Sequence, residues 1–425
     1  MLDIQRIRDN PDLIKKTAAN KNDPADIDQI LGLDTKRREA IKQAETLKGQ
    51  RNAASRQIAQ LKKEGKDSAE LIAEMKQVSD TIKQLDAELA EYEQQIHALM
   101  IKVPNIIHES VKHGAGAEDN EIISEWGDEP AFDFEPLDHM QLGTKLDIID
   151  FARGAKISGA GFGVYKGSGA LLERALINFM LDTHTRANGY KEIFPPFLVN
   201  RDSAFGTGQL PKSEDQMYLI GEDELFAIPT AEVPVTNLHR NEMLAAAQLP
   251  ITYCAYSACF RREAGSYGKD VKGFLRVHQF NKVELVKFTA PDSSYDELES
   301  LTRNAEGILE QLGLKYRRVG LCDGDLSFAS AKTYDLEVWA PGEKKWLEVS
   351  SCSNFEDFQA RRMNIRFKPE AGGKPQFVHT LNGSGVATAR ILVALLETYQ
   401  TAQGNVVVPE VLRGYMNNCE EICCS

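Results

Sequence analysis

Two series of mostly apolar and small residues, each stepping alternately by three and four and interrupted in the first by Arg37 and Arg51, set the first constraint on how this chain folds. The first occupies positions 30, 33, 37, 40, 44, 47, 51, 54, 58 and 61, from Ile30 and Leu33 through Ala40, Ala44 and Leu47 to Ile58 and Leu61. The second occupies 71, 75, 78, 82, 85, 89, 92, 96 and 99, from Leu71 and Met75 through Ile82 and Leu85 to Ile96 and Leu99. This stepping is the seam of a coiled coil. Between the runs lies Lys62-Lys63-Glu64-Gly65-Lys66-Asp67, a polar turn with a glycine. The expected object is an antiparallel helical hairpin, each helix about 45 Å long at ~1.5 Å per residue. Val103-Pro104-Asn105 closes it, because proline disfavours helix in the residue before it.

The hairpin is electrically lopsided. Residues 28–66 carry ten basic side chains against five acidic ones, whereas 67–100 carry two against eight. The whole chain, at −13, argues against a nucleic-acid partner, but the first helix alone offers phosphates a basic face. An interhelical ion-pair pattern is the other reading of the same charges.

Beyond residue 105 the composition changes. A Gly- and acid-rich link through Gly114, Gly116, Gly127 and Asp128 is expected over 106–129, then a mixed body over 130–425. Helices are expected near 168–188, 294–312 and 384–402. Strands are expected near 191–199, 250–260, 275–288, 333–340 and 344–351. Adjacent strands without a βαβ rhythm indicate an α+β fold, an antiparallel sheet with helices on its faces. Gly159-Ala160-Gly161-Phe162-Gly163 lacks the spacing and helix start of a dinucleotide fingerprint. The seven cysteines have no disulfide-framework or zinc spacing and read as reduced. No stretch suits a signal peptide or approaches the ~20 apolar residues of a membrane span, so a cytoplasmic location without membrane association is expected.

Three clusters carry chemistry. Gly189 to Leu198, with Pro195-Pro196, reads alone as an edge strand. Cys259-Phe260-Arg261-Arg262-Glu263, a basic loop, and Phe274 to Glu284 read as two antiparallel strands. Arg276, His278, Phe280, Lys282 and Glu284 alternate, and so are expected on one face, either a binding surface or an exposed polar one. An arginine there is a planar fork for phosphate, and Phe280 a platform for a base. Leu381 to Arg390, with Gly383 and Gly385, reads as a glycine-rich helix start that lets a ligand approach the backbone.

In order and spacing these clusters resemble the three motifs of class II aminoacyl-tRNA synthetases. Pro196 takes the place of the first motif's proline. Phe-Arg-x-Glu with Arg-x-x-x-Phe-x-x-x-Glu matches the second, and Gly-x-Gly-x-x-x-x-Arg the third. Pro229-Thr230-Ala231-Glu232-Val233-Pro234, Phe260 to Glu284, Glu348 to Asn354 and Asn382-Gly383-Ser384 resemble the bacterial type of seryl-tRNA synthetase over nearly the whole chain. That family also carries a long helical arm that grips tRNA.

The resemblance implies activation of serine by ATP, giving seryl-adenylate and pyrophosphate, then transfer of the seryl group to the tRNA 3′ end. It implies catalytic roles for Arg261, Arg390 and Glu348. Thr230, Ala231, Glu232, Glu284, Asn382 and Ser384 would bind serine. Arg261, Arg262, Glu263, Val277, Phe280, Glu348, Val349, Ser350, Ser351 and Arg390 would bind ATP, with Glu348 and Ser351 holding Mg2+. Arg37, Arg38, Lys42, Lys48, Arg51 and Arg56 on the arm would meet tRNA(Ser), and tRNA(Sec) in a host that makes it. The loop between Glu263 and Gly273 would touch the tRNA acceptor end, and a homodimer would form through the first motif. Arg262, Ala389, Gly414 and the tail from Asn417 depart from the usual pattern, and none removes a group the chemistry needs. An enzyme charging a carrier protein would share the motifs without this arm. A non-catalytic RNA-binding relative would lack a motif arginine or a metal carboxylate.

Overall fold

The computed structural model describes residues 1–264, 272–369 and 373–424. The chain divides into two compact units, Met1–Pro104 and Asn105–Ser425.

In the first unit, short helices α1 (Ile4–Asp9) and α2 (Pro11–Asn20) precede two long ones, α3 (Ile27–Lys63) and α4 (Ala69–Met100). Asp26 starts α3 by accepting from the Gln29 N–H at 2.9 Å, satisfying one of the free donors of the first turn. Gly65 turns the chain with a φ of +66°, a left-handed conformation that suits glycine. Every seam position is buried or half-buried, and Ala40, Ala44 and Leu85 form the centre of the interface. The small alanines allow close helix approach, while Leu47, Leu89 and Tyr92 fill the flanks.

The second unit begins with β1 (Glu121–Trp126), α5 (His139–Lys145) and α6 (Gly167–Arg186). The strands β2 (Lys191–Glu192), β3 (Ile251–Phe260) and β4 (Gln279–Thr289) come next, then α7 (Ser294–Gln311). After these come β5 (Tyr316–Gly320), β6 (Lys332–Ala340), β7 (Lys345–Asn354), β8 (His379–Ala387) and α8 (Thr388–Thr398). The eight strands form one sheet in the order β1-β5-β6-β7-β8-β4-β3-β2, antiparallel except where β2 runs parallel to β3. Along β4, Val283 and Leu285 join the large core with α6, α7 and α8. Val286 and Phe288 face a second core with Ala231 and Ala255. Lys282 and Glu284 share their parity, so two charged groups point to the side away from the helices.

Two expectations change. The stretch 106–129 is more than a link: Glu121–Trp126 pairs with β5, and Trp126 stacks on Tyr316 with ring centroids 5.8 Å apart. Its six residues are all exposed, so it shows no inward-facing alternation. Residues 384–387 belong to β8 rather than to a helix start, and the helix begins at Thr388. The glycines serve packing there: a Cβ on Gly383 would fall 2.2 Å from Leu301, and one on Gly385 2.8 Å from His184.

Candidate active site

Two β-bulges build the site. In the β6–β7 ladder Leu336 pairs with Ser350 and Glu337 with Glu348, leaving Val349 as the extra residue. Residues 348 and 351 would face opposite ways on a regular strand, and the bulge turns both to the same side. In the β4–β8 ladder Val283 pairs with Val386 and Glu284 with Ser384, leaving Gly385 extra. This sets Ser384 beside Glu284.

The result is two adjoining cavities, of about 420 Å³ and about 300 Å³, which share Thr230, Arg261, Lys282, Glu348 and Ser384 in their walls. The larger is lined by Glu263, Phe274 to Val277, Phe280, Val349 and Arg390. The smaller adds Glu232, Glu284, Ser351 and Asn382. The Arg261 guanidinium lies 5.1 Å over the Phe280 ring, and its Nε donates to the Pro229 carbonyl at 3.4 Å. Glu263 is paired with Arg276 at 2.5 Å. Arg390 donates to the Glu348 carbonyl at 2.7 Å, stands 3.7 Å from its carboxylate, and donates to the Leu275 carbonyl at 3.2 Å. Both arginines therefore sit fixed before any ligand arrives.

The smaller cavity is a buried polar network. Lys282 is ion-paired with Glu284 and donates to the Thr230 hydroxyl at 2.8 Å, which donates in turn to Glu284 Oε2 at 2.9 Å. Glu284 Oε1 has no partner among the described residues and is buried, leaving an acceptor for an incoming N–H or O–H. Gln359 donates to Glu232 at 2.6 Å and is itself held by Thr380. Burial pushes the Glu232 carboxyl up to about 7, and the nearby Glu284 charge adds to the shift. Asp335 stands across the ladder from Ser351, and its carboxyl is also pushed up, by burial and then by Glu348.

Not every expected residue reaches a cavity wall. The Ser350 hydroxyl points into the core and donates to the Ser384 carbonyl at 2.6 Å, because the bulge leaves it on the opposite side from Ser351. Ala231 is fully buried in the second core. Arg262 is exposed and lines neither cavity, its N–H bonded to the Gln216 carbonyl at 2.8 Å. The expected one-face row holds from Phe280 to Glu284. His278 precedes the strand, bonds the Arg261 carbonyl at 3.0 Å and lines neither cavity. Gly161 explains the glycine cluster: its carbonyl accepts from the His278 N–H at 2.9 Å, and a Cβ would strike the His278 ring.

Lys282 is visible in the alternating row but has no role legible there. Gln359 and Asp335 carry no local signal, since only the tertiary fold brings them to Glu232 and Ser351. On the arm, Arg37 pairs at 2.8 Å with the buried Asp34, and Lys48 with Asp86 across the hairpin at 2.9 Å. Arg38, Lys42 and Arg56 are exposed, and Arg51 is half-buried. Of the loop between Glu263 and Gly273, residues 265–271 lie outside the described residues. The seven cysteines are all free thiols.

This antiparallel sheet, with one motif arginine directly after β3 and another on α8 meeting at one cleft, defines a class II aminoacyl-tRNA synthetase core. The family model for that core, covering the G, H, P, S and T enzymes, matches residues 218–399, and the seryl-tRNA synthetase N-terminal domain matches residues 1–107. A serine–tRNA ligase of Chlorobium phaeobacteroides is 58% identical over 420 residues, 98% of each chain. The solved seryl-tRNA synthetase of Pyrococcus horikoshii, complexed with ATP, superposes with a TM-score of 0.96 at 38% identity, covering all of both chains. The cytoplasmic serine–tRNA ligase of Naegleria fowleri, in complex with AMP, gives 0.89 at 30% identity, covering 100% of this chain and 99% of that one. The chain belongs to the seryl-tRNA synthetase family.

Proposed function

We propose that this protein joins serine to tRNA(Ser) in two steps, using the larger cavity for ATP and the smaller for serine. The observation that carries this reading is their shared wall. Arg261 stands where the two meet, so a serine carboxylate and an ATP α-phosphate would both lie within its reach. Bringing those groups together, with their charge neutralised, is most of what adenylate formation requires.

Each group then has a task. Arg261 orients the attacking carboxylate and the α-phosphate. Arg390 holds the terminal phosphate, and Phe280 offers its ring to the adenine, with Glu263 and Val277 near the base edge. Glu232 and Glu284 receive the serine ammonium and hydroxyl, with Thr230, Ser384 and Asn382 around them. A site built to bond a hydroxyl rejects analogues without it, because its polar groups would be left unpaired. Threonine is excluded by size.

Glu348 and Ser351 form an all-oxygen donor pair beside the Asp335 carboxyl group, which suits a hard divalent ion. Bound there, Mg2+ would offset phosphate charge.

The arm would meet tRNA(Ser), and tRNA(Sec) where the host makes it, through Arg38, Lys42, Arg51 and Arg56. A homodimer is supported by exposed apolar groups, Ile122, Ile123 and Trp126 on β1 and Phe194 in the first motif. No described helix is long and apolar enough to cross a membrane, and a cytoplasmic enzyme fits the reading.

The test is amino-acid-dependent exchange of pyrophosphate into ATP, across all twenty amino acids, with charging of tRNA(Ser) measured next. Exchange with serine alone is the expected result. Exchange with another amino acid would overturn the specificity, and no exchange from folded, Mg2+-supplied protein would overturn the activity.

A further inference from the structure

The geometry points to His139 as a positioning residue for the ATP cavity, acting through the backbone of Phe274. His139 lines neither cavity and is completely buried at the start of α5. Its Nε2 accepts from the Phe274 N–H at 3.3 Å. Since a backbone N–H can only donate, Nε2 carries no proton, and the ring proton sits on Nδ1. Nδ1 faces carboxylates, Glu397 at 3.2 Å and Glu343 at 3.5 Å.

The tautomer is held from behind. Glu397 is fully buried and also accepts from the His139 N–H at 2.9 Å, the Gly342 N–H at 2.9 Å and the Glu343 N–H at 3.0 Å. With so many donors, this carboxylate is fixed in place and fixes the ring. Asp138 caps α5 through a reciprocal bond with Gln141 and pairs with Lys272 at 2.7 Å. Lys272 lies also 3.5 Å from Glu343, so its ammonium stands where a metal bridging these carboxylates would lie.

The contact matters because Phe274 opens one wall of the ATP cavity. Residues 274–277 line that cavity, and the Leu275 carbonyl holds Arg390. Gly273 has a φ of +58°, and a Cβ there would fall 2.2 Å from His139 Nε2. The glycine brings the backbone against the imidazole, and the imidazole sets where the cavity wall begins. This inference rests on the proposed ATP cavity.

Two substitutions separate the ring nitrogens. His139→Asn keeps a donor near the Nδ1 position and loses the Nε2 acceptor. His139→Gln carries a carbonyl oxygen out to the Nε2 position. In serine-dependent pyrophosphate exchange, His139→Asn is expected to raise the KM for ATP about tenfold, the scale of one lost hydrogen bond. The KM for serine should change less than about twofold, and His139→Gln should recover most of the ATP effect. Amide hydrogen exchange over 272–277 should quicken in His139→Asn alone. Equal ATP KM values for the two variants, or a fall in kcat with KM unchanged, would overturn the assignment. Should His139→Asn fail to fold, Gly273→Ala, which drives a methyl into the same contact, must show the ATP effect, and wild-type kinetics there would overturn it too. Direct calorimetric titration with ATP keeps the two readings apart: a wild-type protein that binds no ATP defeats the proposed function, whereas binding equally tight in all variants defeats only the role of His139.

Discussion

Lys282 and Glu284 are ion-paired from neighbouring same-face positions of one strand, and the Thr230 hydroxyl bonds to both. Breaking a buried pair leaves an uncompensated charge, which costs more than the pair contributes. In Lys282→Met the pocket keeps two carboxylates, Glu232 and Glu284, without their nearest cation. The kcat/KM for serine is expected to fall about 100-fold, with the KM for ATP within about threefold of wild type. Steady-state pyrophosphate exchange measures both, and equal losses in the two constants would show general damage instead.

Glu284 is expected to set hydroxyl selectivity. Its free Oε1 is a buried acceptor, so an amino acid without a hydroxyl leaves it unpaired. Glu284→Ala should lose activity and also narrow the serine-to-alanine ratio of kcat/KM. An unchanged ratio in competition assays would remove this role.

Glu232 makes the pocket sensitive to pH. Burial and then Glu284 raise its carboxyl from the ordinary carboxylate range to about 7. The folded state therefore holds this proton more tightly than the unfolded chain. Its effect on stability is absent below the ordinary carboxylate value, grows unfavourable as pH rises towards 7, and is constant above that. Binding runs the other way, since the serine ammonium needs the ionised form. The KM for serine should fall as pH rises from about 6 to about 8, and Glu232→Gln should lack that limb while gaining thermal stability at the upper end. A KM profile identical in the variant would assign the limb to another group.

The arm is legible in the sequence because a 3/4 repeat is local: Leu33, Ala40, Ala44, Ile82 and Leu85 announce their burial by spacing alone. The motif residues are legible as types in order, and Arg261, Glu263, Phe280, Glu348 and Arg390 do line one cavity. What stays hidden is register. A bulge inserts one ordinary residue, here Val349 or Gly385, and reverses the facing of everything beyond it. Hence Ser350 is expected among the ligands and lies in the core. The edge strand Glu121–Trp126 is hidden for another reason, since its apolar groups are exposed and show no inward period. Lys282 gains its meaning only when Thr230 is folded onto it from 52 residues away.

The basic residues of the arm divide by what holds them. Arg37 pairs with Asp34, which is 1% exposed and also lies 3.4 Å from Arg8. Arg38 is exposed. Arg37→Ala is expected to lower the melting temperature by leaving a buried carboxylate short of a partner. Arg38→Ala should leave it unchanged, and should weaken tRNA(Ser) binding with a shallower salt dependence. Melting curves and binding at two salt concentrations separate them, and matching profiles for the two variants would refute the division.

The arm and the catalytic unit should separate by reaction step. Met1–Pro104 and Asn105–Ser425 are distinct compact units, and both cavities are lined entirely from the second. Serine activation requires only those cavities, whereas tRNA is too large to be held by them alone. Deleting residues 30–97 should therefore keep serine-dependent pyrophosphate exchange within about threefold of the full chain, while charging of tRNA(Ser) falls by about 100-fold or more through the loss of phosphate contacts. Exchange is read first, because it shows that the catalytic unit has folded. Charging that survived at the full-chain rate would move tRNA recognition off the arm and onto the catalytic unit.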